Sequence, residues 1–305
     1  MRNVMGFFIA LLVAGCSQVT TQTNGELGTL SNTANGQAVA TQLTTLYGRK
    51  FANCNKSDSQ PAFLCSGVTL RVTVKDPAYK VWDPSPVSVK SGGVSFSYLR
   101  ADANFGRLAW GYGNGYILYP IFEAPADKID LDYLCSYPMD AWGWHRSATQ
   151  VCGPSAGYPA QSQRCHSANV TIAEQWLAVW KLPGTQQNLR QCGFDITDVR
   201  NTLSGPAFYQ SVRAKSLMAE SGFVEHNEII IKTWTAGRPN TFPIMAFFYI
   251  AGGTNAGLAD AQYNQRDFNN STNPKIVIPI IRLTPANSST ATATFAFVAA
   301  DQVVN

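Results

Sequence analysis

Short apolar segments rich in β-branched and aromatic residues recur along this chain and constrain its fold more than any other feature. Most are bounded by Gly, Pro or Asp, which is typical of β-strands. The segments with this pattern cover residues 67–74, 92–99, 115–122, 228–234, 243–250, 275–283 and 292–299. Helical patterns cover residues 171–182, 206–221 and 258–268. Because these elements follow no β-α-β rhythm, we predict an α+β fold with mainly antiparallel or mixed sheets.

The segment 171–182 has the clearest helix pattern. Thr171 and Glu174 have the spacing of a capping box at its start, and Pro183 with Gly184 predicts its end. Four apolar side chains should share its buried face. They are Ile172, Trp176, Val179 and Trp180.

The N-terminus has the pattern of an export signal. Arg2 precedes a mostly apolar run at 4–13, which is too short to span a bilayer. The run ends in Val-Ala-Gly-Cys, which resembles the lipobox of bacterial lipoproteins, so we predict a signal peptide over 1–15 and lipidation of Cys16. Ordinary cleavage near Ala14, with a free thiol at the cysteine, is the alternative.

The segment after the signal is polar and poor in large apolar residues, so we predict a flexible tether over 16–40. One domain should then cover 41–305, since no Pro/Gly-rich linker divides it. The expected location is a bacterial membrane, with the outer membrane favoured, or the medium if the lipid is absent.

Seven cysteines remain to be placed. Lipidation of Cys16 leaves an even set, which predicts three disulfides in an oxidising compartment. The set is Cys54, Cys65, Cys135, Cys152, Cys165 and Cys192. Short separations favour pairing 54 with 65 and 152 with 165, which leaves 135 with 192, although other connectivities stay open. The stretch 135–192 should form a loop-rich insertion stapled by disulfides.

Charge and ligand spacing exclude some classes of function. The formal net charge of +4 loses one unit with Arg2, and such a weak excess does not indicate nucleic-acid binding. The sequence has no C-x-x-C pair and no histidine pair at helical spacing, so no metal site is predicted. No protein partner is indicated.

Two further patterns have ordinary explanations. Ser155 lies in a G-x-S-x-G pentapeptide, but Cys152 precedes it where a serine hydrolase needs a buried strand, so we interpret it as a turn. The acid and base residues that would follow it in chain order are Asp195, Asp198 and His226. The aromatic residues Tyr137, Trp142 and Trp144 either pack on a disulfide or form a stacking surface for a base or sugar.

Polar residues interrupt three of the predicted strands. Arg71, on one strand, has the donor geometry to grip a pyrophosphate. Ser95 and Ser97 flank Phe96 on the next, and a serine can hold a carboxylate. Glu228 opens the segment 228–234. It is either a solvated strand end or a carboxylate that stabilises an oxocarbenium-like transition state.

This order resembles the arginine–serine–glutamate type of ADP-ribosyltransferase and NAD glycohydrolase toxins. The resemblance implies that Arg71 binds phosphates, that Ser95 orients Glu228, and that the three side chains converge in one cleft. Further substrate-binding residues would be Ser97, Tyr98 and His226. His226 stands where that family has a Glu or Gln that helps to choose the acceptor, which favours water over a protein acceptor.

Longer segments are similar to halovibrin, a family of secreted bacterial NAD glycohydrolases. They are KSDSQPAFLCSGVTLR, WDPSPVSVKSGGVSFSYLRAD, YGNGYILYPI, QCGFDITD, FPIMAFFYIAG and GLADAQYNQRDF, within about residues 41–285. The resemblance implies a single catalytic domain that cleaves NAD as its substrate and needs no cofactor. An ADP-ribosyltransferase toxin and a non-catalytic surface-binding lipoprotein are the alternatives.

Overall fold

A computed structural model describes most of the predicted domain. The described residues are 32–49, 66–73, 80–108, 113–119, 132–141, 152, 164–182, 192–196, 204–232, 243–253, 256–272 and 275–304. The signal peptide, Cys16 and the predicted pair of Cys54 with Cys65 lie outside these ranges.

The described elements confirm the α+β class. The strands are β1 (Val68–Thr73), β2 (Val94–Leu99), β3 (Asn114–Leu118), β4 (Asp132–Tyr137), β5 (Phe194–Asp195), β6 (Glu228–Lys232), β7 (Ile244–Ile250), β8 (Ile280–Thr284) and β9 (Thr294–Phe297). The helices are α1 (Asn32–Gly48), α2 (Pro86–Ser91), α3 (Ala173–Trp180), α4 (Ser204–Leu217), α5 (Ala219–Gly222) and α6 (Ala256–Ser271).

The described strands form one mixed sheet in the order β5-β4-β6-β2-β1-β3-β7-β8-β9. Every neighbouring pair is antiparallel except β7 with β8. The prediction of a mainly antiparallel or mixed sheet is therefore correct.

Apolar side chains cover both faces of the sheet, because residues alternate between faces along each strand. On one face, Phe96 and Phe247 pack with Phe208 of α4 and Phe268 of α6. On the other face, α1 packs mainly against the edge strand β9 and also contacts β8 and β1. That second cluster includes Leu43, Tyr47, Leu70, Ile117 and Phe248.

The predicted tether over 16–40 is wrong for residues 32–40, because α1 begins at Asn32. Val39, Leu43 and Tyr47 of this helix are buried. The first turns of α1 carry small and polar residues, so the sequence shows no clear amphipathic helix pattern there. Gly36 explains how such a segment packs, since the missing side chain lets the helix approach Phe297 of β9.

The start of α3 also differs from the prediction. Ile172 is 41% exposed rather than buried. The Gln175 side chain, not that of Glu174, accepts hydrogen bonds from the backbone N–H groups of Thr171 (2.8 Å) and Ile172 (3.4 Å). Glu174 instead forms an ion pair with Arg213 of α4. Gln175, one residue further along, reaches back to amides at the helix start that have no partner within the helix.

The favoured disulfide pairing is wrong for the four cysteines that the structure describes. Cys135 pairs with Cys152, and Cys165 pairs with Cys192. Tertiary contacts decide this, because the backbone N–H of Cys165 donates to the carbonyl of Gly193 (2.9 Å) and so brings Cys165 beside Cys192. Separation along the chain was therefore a poor guide.

Among the described residues, no helix combines the length and apolar character needed to cross a membrane.

We expect Gly36→Ala to lower the free energy of unfolding by about 1–2 kcal/mol, although alanine favours helix more than glycine. A Cβ at this position would overlap the ring of Phe297, so either the ring or the helix must shift. Chemical denaturation of the full-length protein measures the effect.

Gly48→Ala, at the exposed end of the same helix, is the matched control, because a Cβ there meets nothing within 4 Å. Equal stability of the two variants would contradict docking of α1 on β9.

Candidate functional site

The strands predicted to carry the arginine, the serines and the glutamate are neighbours in the sheet. β2 lies between β1 and β6. Residues 97–99 of β2 pair with β1, whereas residues 94–96 pair with β6. Pairing with β6 therefore ends at Phe96, and pairing with β1 begins at Ser97. The two halves of the sheet diverge along β2.

The guanidinium of Arg71 lies where β1 leaves β2. Its Nη1 donates to the backbone carbonyl of Ser95 at 2.7 Å. Strand carbonyls lie in the plane of the sheet and point toward the neighbouring strand. The half-buried Arg71 side chain thus takes the place of a backbone ladder partner for Ser95.

The two serines share a face of the sheet with Glu228. Ser95 pairs with Ile230, and Glu228 lies two residues from Ile230 on the same strand. Cross-strand partners share a face, and so do residues two apart on a strand. One further step in the same register sets the buried Ser97 opposite Glu228. The observed pairing ends at Phe96 with Ile229, so this register favours Ser97 over Ser95 as the neighbour of the glutamate.

Arg71 leaves the sheet on the opposite face. It pairs with Tyr116 of β3, whose ring packs edge-on against Phe96 at 5.9 Å. Phe96 alternates with Ser95 and so faces away from Glu228. Ser95, Ser97 and Glu228 thus share one face of the sheet, whereas Arg71 lies on the other face and contacts β2 at the Ser95 carbonyl. The expected convergence of Arg71, Ser95 and Glu228 in one cleft stays a prediction.

Glu228 is the first residue of β6 and is 0% exposed. Its Oε2 accepts a hydrogen bond from the backbone N–H of Ala141 at 3.1 Å. Tyr137 of β4 pairs with it on the neighbouring strand. Burial of a carboxylate is costly without such donors. These observations exclude the interpretation of Glu228 as a solvated strand end.

Asn227, which the sequence analysis missed, fastens the start of β6 to β2. Its Oδ1 accepts from the backbone N–H of Tyr98 (2.7 Å), and its Nδ2 donates to the Tyr98 carbonyl (2.8 Å). The side-chain amide of Asn227 thus makes the two hydrogen bonds that a paired strand residue would make, just beyond the end of the β2–β6 pairing. An asparagine before a strand is a common turn residue, so its position gave no signal of this role.

Tyr98 belongs to the core rather than to the face that carries Glu228. Its hydroxyl donates to the carbonyl of Ser66 at 2.8 Å, and its ring packs edge-on against Phe208 at 5.2 Å. Burial raises the pKa of the hydroxyl, and the charge of Arg100 opposes that shift. The predicted contact of Tyr98 with a substrate has no support in this geometry.

His226 is 5% exposed and packs near Phe105. Its Nδ1 has no hydrogen-bond partner among the residues that the structure describes, and its Nε2 lies 3.8 Å from Oδ2 of Asp140. Burial lowers the pKa of the imidazole to about 4, and the Glu228 carboxylate opposes that shift. The side chain is therefore neutral at pH 7 and faces the protein interior.

Lys215 of α4 is a second residue that the sequence analysis missed. Its Nζ donates to the backbone carbonyls of Gly222 and Glu225, which lie in the segment leading to β6. Burial lowers the pKa of this amine to about 7, and the Glu225 carboxylate opposes that shift. A lysine in a helical pattern is usually solvated, so only the fold indicates its contacts.

Several residues singled out in the sequence lie outside the described residues. They are Trp142, Trp144, Ser155 and Asp198. Asp195 is described and lies 3.6 Å from the guanidinium of Arg164, at the protein surface. Within the described ranges, no group of three or more His, Cys, Asp or Glu side chains is arranged to hold a metal ion.

No family model and no curated protein matches this chain.

Asn227→Ala should lower the free energy of unfolding by about 2–4 kcal/mol, because it leaves the buried N–H and carbonyl of Tyr98 without partners. Urea denaturation measures the change.

Asn269→Ala, which removes one hydrogen bond to the carbonyl of Ile276, is the matched control and should cost less than about 1 kcal/mol. A cost for Asn227→Ala as small as that of the control would contradict the role assigned to this amide.

Stability should fall as the pH falls from about 6.5 to about 4, the ordinary and folded pKa values of His226. The unfolded chain binds a proton in this range that the folded protein does not, so this contribution is complete above pH 6.5 and is lost toward pH 4. Unfolding free energies measured across the range should slope by at most about 1.4 kcal/mol per pH unit from this group.

His226→Asn should flatten that slope, while His166→Asn, at an exposed position, should not. An unchanged slope in His226→Asn would assign the acid sensitivity to other groups.

Proposed function

We propose that this chain is an exported NAD glycohydrolase. The observation that carries the proposal is the buried Glu228 carboxylate, held by a backbone amide and flanked by serines on the adjacent strand. A carboxylate in such an environment is strongly placed to stabilise developing positive charge, because little solvent screens it. The wider resemblance to halovibrins supplies the substrate, NAD.

The proposed reaction breaks the bond between nicotinamide and ribose. The bonding electron pair leaves with nicotinamide, and the ribose passes through an oxocarbenium-like state that Glu228 stabilises. Water then forms the new bond to the ribose carbon and releases one proton, so the products are ADP-ribose and nicotinamide. Ser97 would orient the carboxylate, with Ser95 beside it on the same face.

Arg71 would bind the pyrophosphate from the line where β1 and β2 separate. Its bond to the Ser95 carbonyl uses one of the five N–H donors that a guanidinium carries, and its side chain is half-buried. Since Arg71 and Glu228 leave the sheet on opposite faces, the substrate would have to pass this line to contact both.

Full burial of Glu228 sets a further requirement. NAD can reach the carboxylate only if neighbouring groups move. One such group is the Ala141 amide, which donates a hydrogen bond to the carboxylate. A non-catalytic protein would show the same burial if Glu228 only bound the segment around Ala141 to the start of β6. This burial therefore favours the surface-binding lipoprotein as the second candidate.

Water is a better acceptor than a protein side chain in this proposal. His226 occupies the position that helps to choose the acceptor in ADP-ribosyltransferases, and here it is buried and neutral at pH 7. It is in no position to meet a protein acceptor at the surface. The ADP-ribosyltransferase alternative is correspondingly less favoured.

Export is supported by the two described disulfides, because such cross-links form and persist in oxidising compartments. Attachment to a membrane through a lipid on Cys16 remains part of the proposal.

Full-length protein, folded under oxidising conditions, should release nicotinamide from NAD, and Glu228→Gln should lower the rate about 10²–10³-fold. The variant keeps the size of the side chain and removes its negative charge. Chromatographic measurement of free nicotinamide checks both results.

Glu225→Gln is the matched control, because Glu225 is a partly exposed carboxylate three residues away that pairs with Arg107. Equal activity of wild type and Glu228→Gln would reject Glu228 as the catalytic carboxylate. Absence of nicotinamide from a folded, disulfide-bonded wild type would favour the binding lipoprotein.

A further inference from the structure

The segment that follows β4 is bound to the residues at the start of β6. The backbone N–H of Asp140 donates to the carbonyl of His226 (2.9 Å), and that of Ala141 donates to the carboxylate of Glu228 (3.1 Å). Both acceptors lie within three consecutive residues. Ala141 is buried, so its amide is a fixed donor aimed at the carboxylate rather than a solvated one.

The disulfide between Cys135 and Cys152 closes the stretch of chain that carries these donors. The two cysteines are separated by 17 residues, and both are 0% exposed. They pack in one cluster with Tyr137, Ala141 and Ile230. Ile230 lies two residues from Glu228 on β6, so the cross-link, the donor and the carboxylate share one face of the sheet.

The second described disulfide has a different setting. Cys165 and Cys192 pack with Trp176 and Trp180 of α3. This cluster also contains Met139, two residues before Ala141, and Gly193, next to Cys192, lies against Cys135. The two cross-links are therefore neighbours that differ in what they pack against, so the chain provides its own comparison between one packed with Ala141 and Ile230 and one packed against α3.

We infer that the Cys135–Cys152 disulfide positions Glu228 by fixing the Ala141 amide, so that the candidate site is complete only in the oxidised chain. The inference rests on the proposed function and adds its regulation. Without the cross-link, the 17-residue stretch gains conformational freedom and the amide is no longer held against the carboxylate. A misplacement of about 1 Å can cost about 10²-fold in rate.

The redox step is a thiol–disulfide exchange. A dithiol reductant transfers two electrons and two protons to the bond, which yields two cysteine thiols and the oxidised, cyclic reductant. In the forward direction, the exported chain gives these electrons and protons to a disulfide oxidant. The protein would thus be inactive in a reducing cytoplasm and active after export.

The first test compares two double variants of the full-length protein. Cys135→Ala with Cys152→Ala should lower the rate constant of nicotinamide release by tenfold or more. Cys165→Ala with Cys192→Ala should keep most of the activity at a temperature where circular dichroism shows both variants folded. Equal losses in the two variants would overturn the inference, because they would indicate a general effect on stability.

A second comparison uses Glu228→Gln as the background. If the cross-link acts through Glu228, then removing Cys135 and Cys152 in this background should cost little further activity. A further loss as large as in the wild type would overturn the inference.

Reduction provides the test if the variant without Cys135 and Cys152 does not fold. In the variant that lacks Cys165 and Cys192, a reductant should lower the activity in proportion to the fraction of the Cys135–Cys152 disulfide that is open. Thiol labelling with peptide mapping measures that fraction. Reoxidation should restore the activity. Full activity with that disulfide open would contradict the inference.

Hydrogen exchange of the Ala141 amide provides a readout that does not depend on NAD cleavage. Its protection should drop at least tenfold when the Cys135–Cys152 cross-link is absent and should be unchanged when the Cys165–Cys192 cross-link is absent. Unchanged protection in both would overturn the inference even if the protein cleaves NAD. If removal of the Cys135–Cys152 cross-link lowers the protection of Ala141 but the wild type releases no nicotinamide, then only the proposed function is rejected.

Discussion

The pairing of β2 with two strands that diverge along its length is the constraint on which the candidate site depends. The first half of β2 pairs with β6, and its second half pairs with β1. The backbone groups of β2 that lose a strand partner are met by side chains. Arg71 binds the carbonyl of Ser95, and Asn227 binds both backbone groups of Tyr98. The sheet can separate here because buried polar groups still find partners.

Three consecutive residues before and at the start of β6 connect this region to the rest of the protein. His226 and Glu228 contact the consecutive residues Asp140 and Ala141 after β4, whereas Asn227 contacts Tyr98 of β2. All three are buried. Hydrogen bonds from β2 and from the segment after β4 thus fix the start of β6, and such buried contacts make a small region rigid and sensitive to the loss of a partner.

Most strands were predictable from the sequence because their apolar patterns are local. Glu228 was found at the start of its strand for the same reason, and the adjacency of β1, β2 and β6 agrees with the order that the motif required. The predictions that failed depended on contacts between distant residues. Helix α1 is held by packing on β9, and Cys165 is brought to Cys192 by its bond with Gly193.

The sequence by itself determined the α+β class, the positions of most strands and the residues that carry the candidate chemistry, because periodicity and residue type act over short distances. Only the tertiary structure decided which face each side chain occupies, which cysteines pair, and that a backbone amide from the segment after β4 holds Glu228. These features depend on strand register, and a shift of one residue would move every side chain to the opposite face. Register is set by contacts between distant segments, which local sequence patterns do not encode.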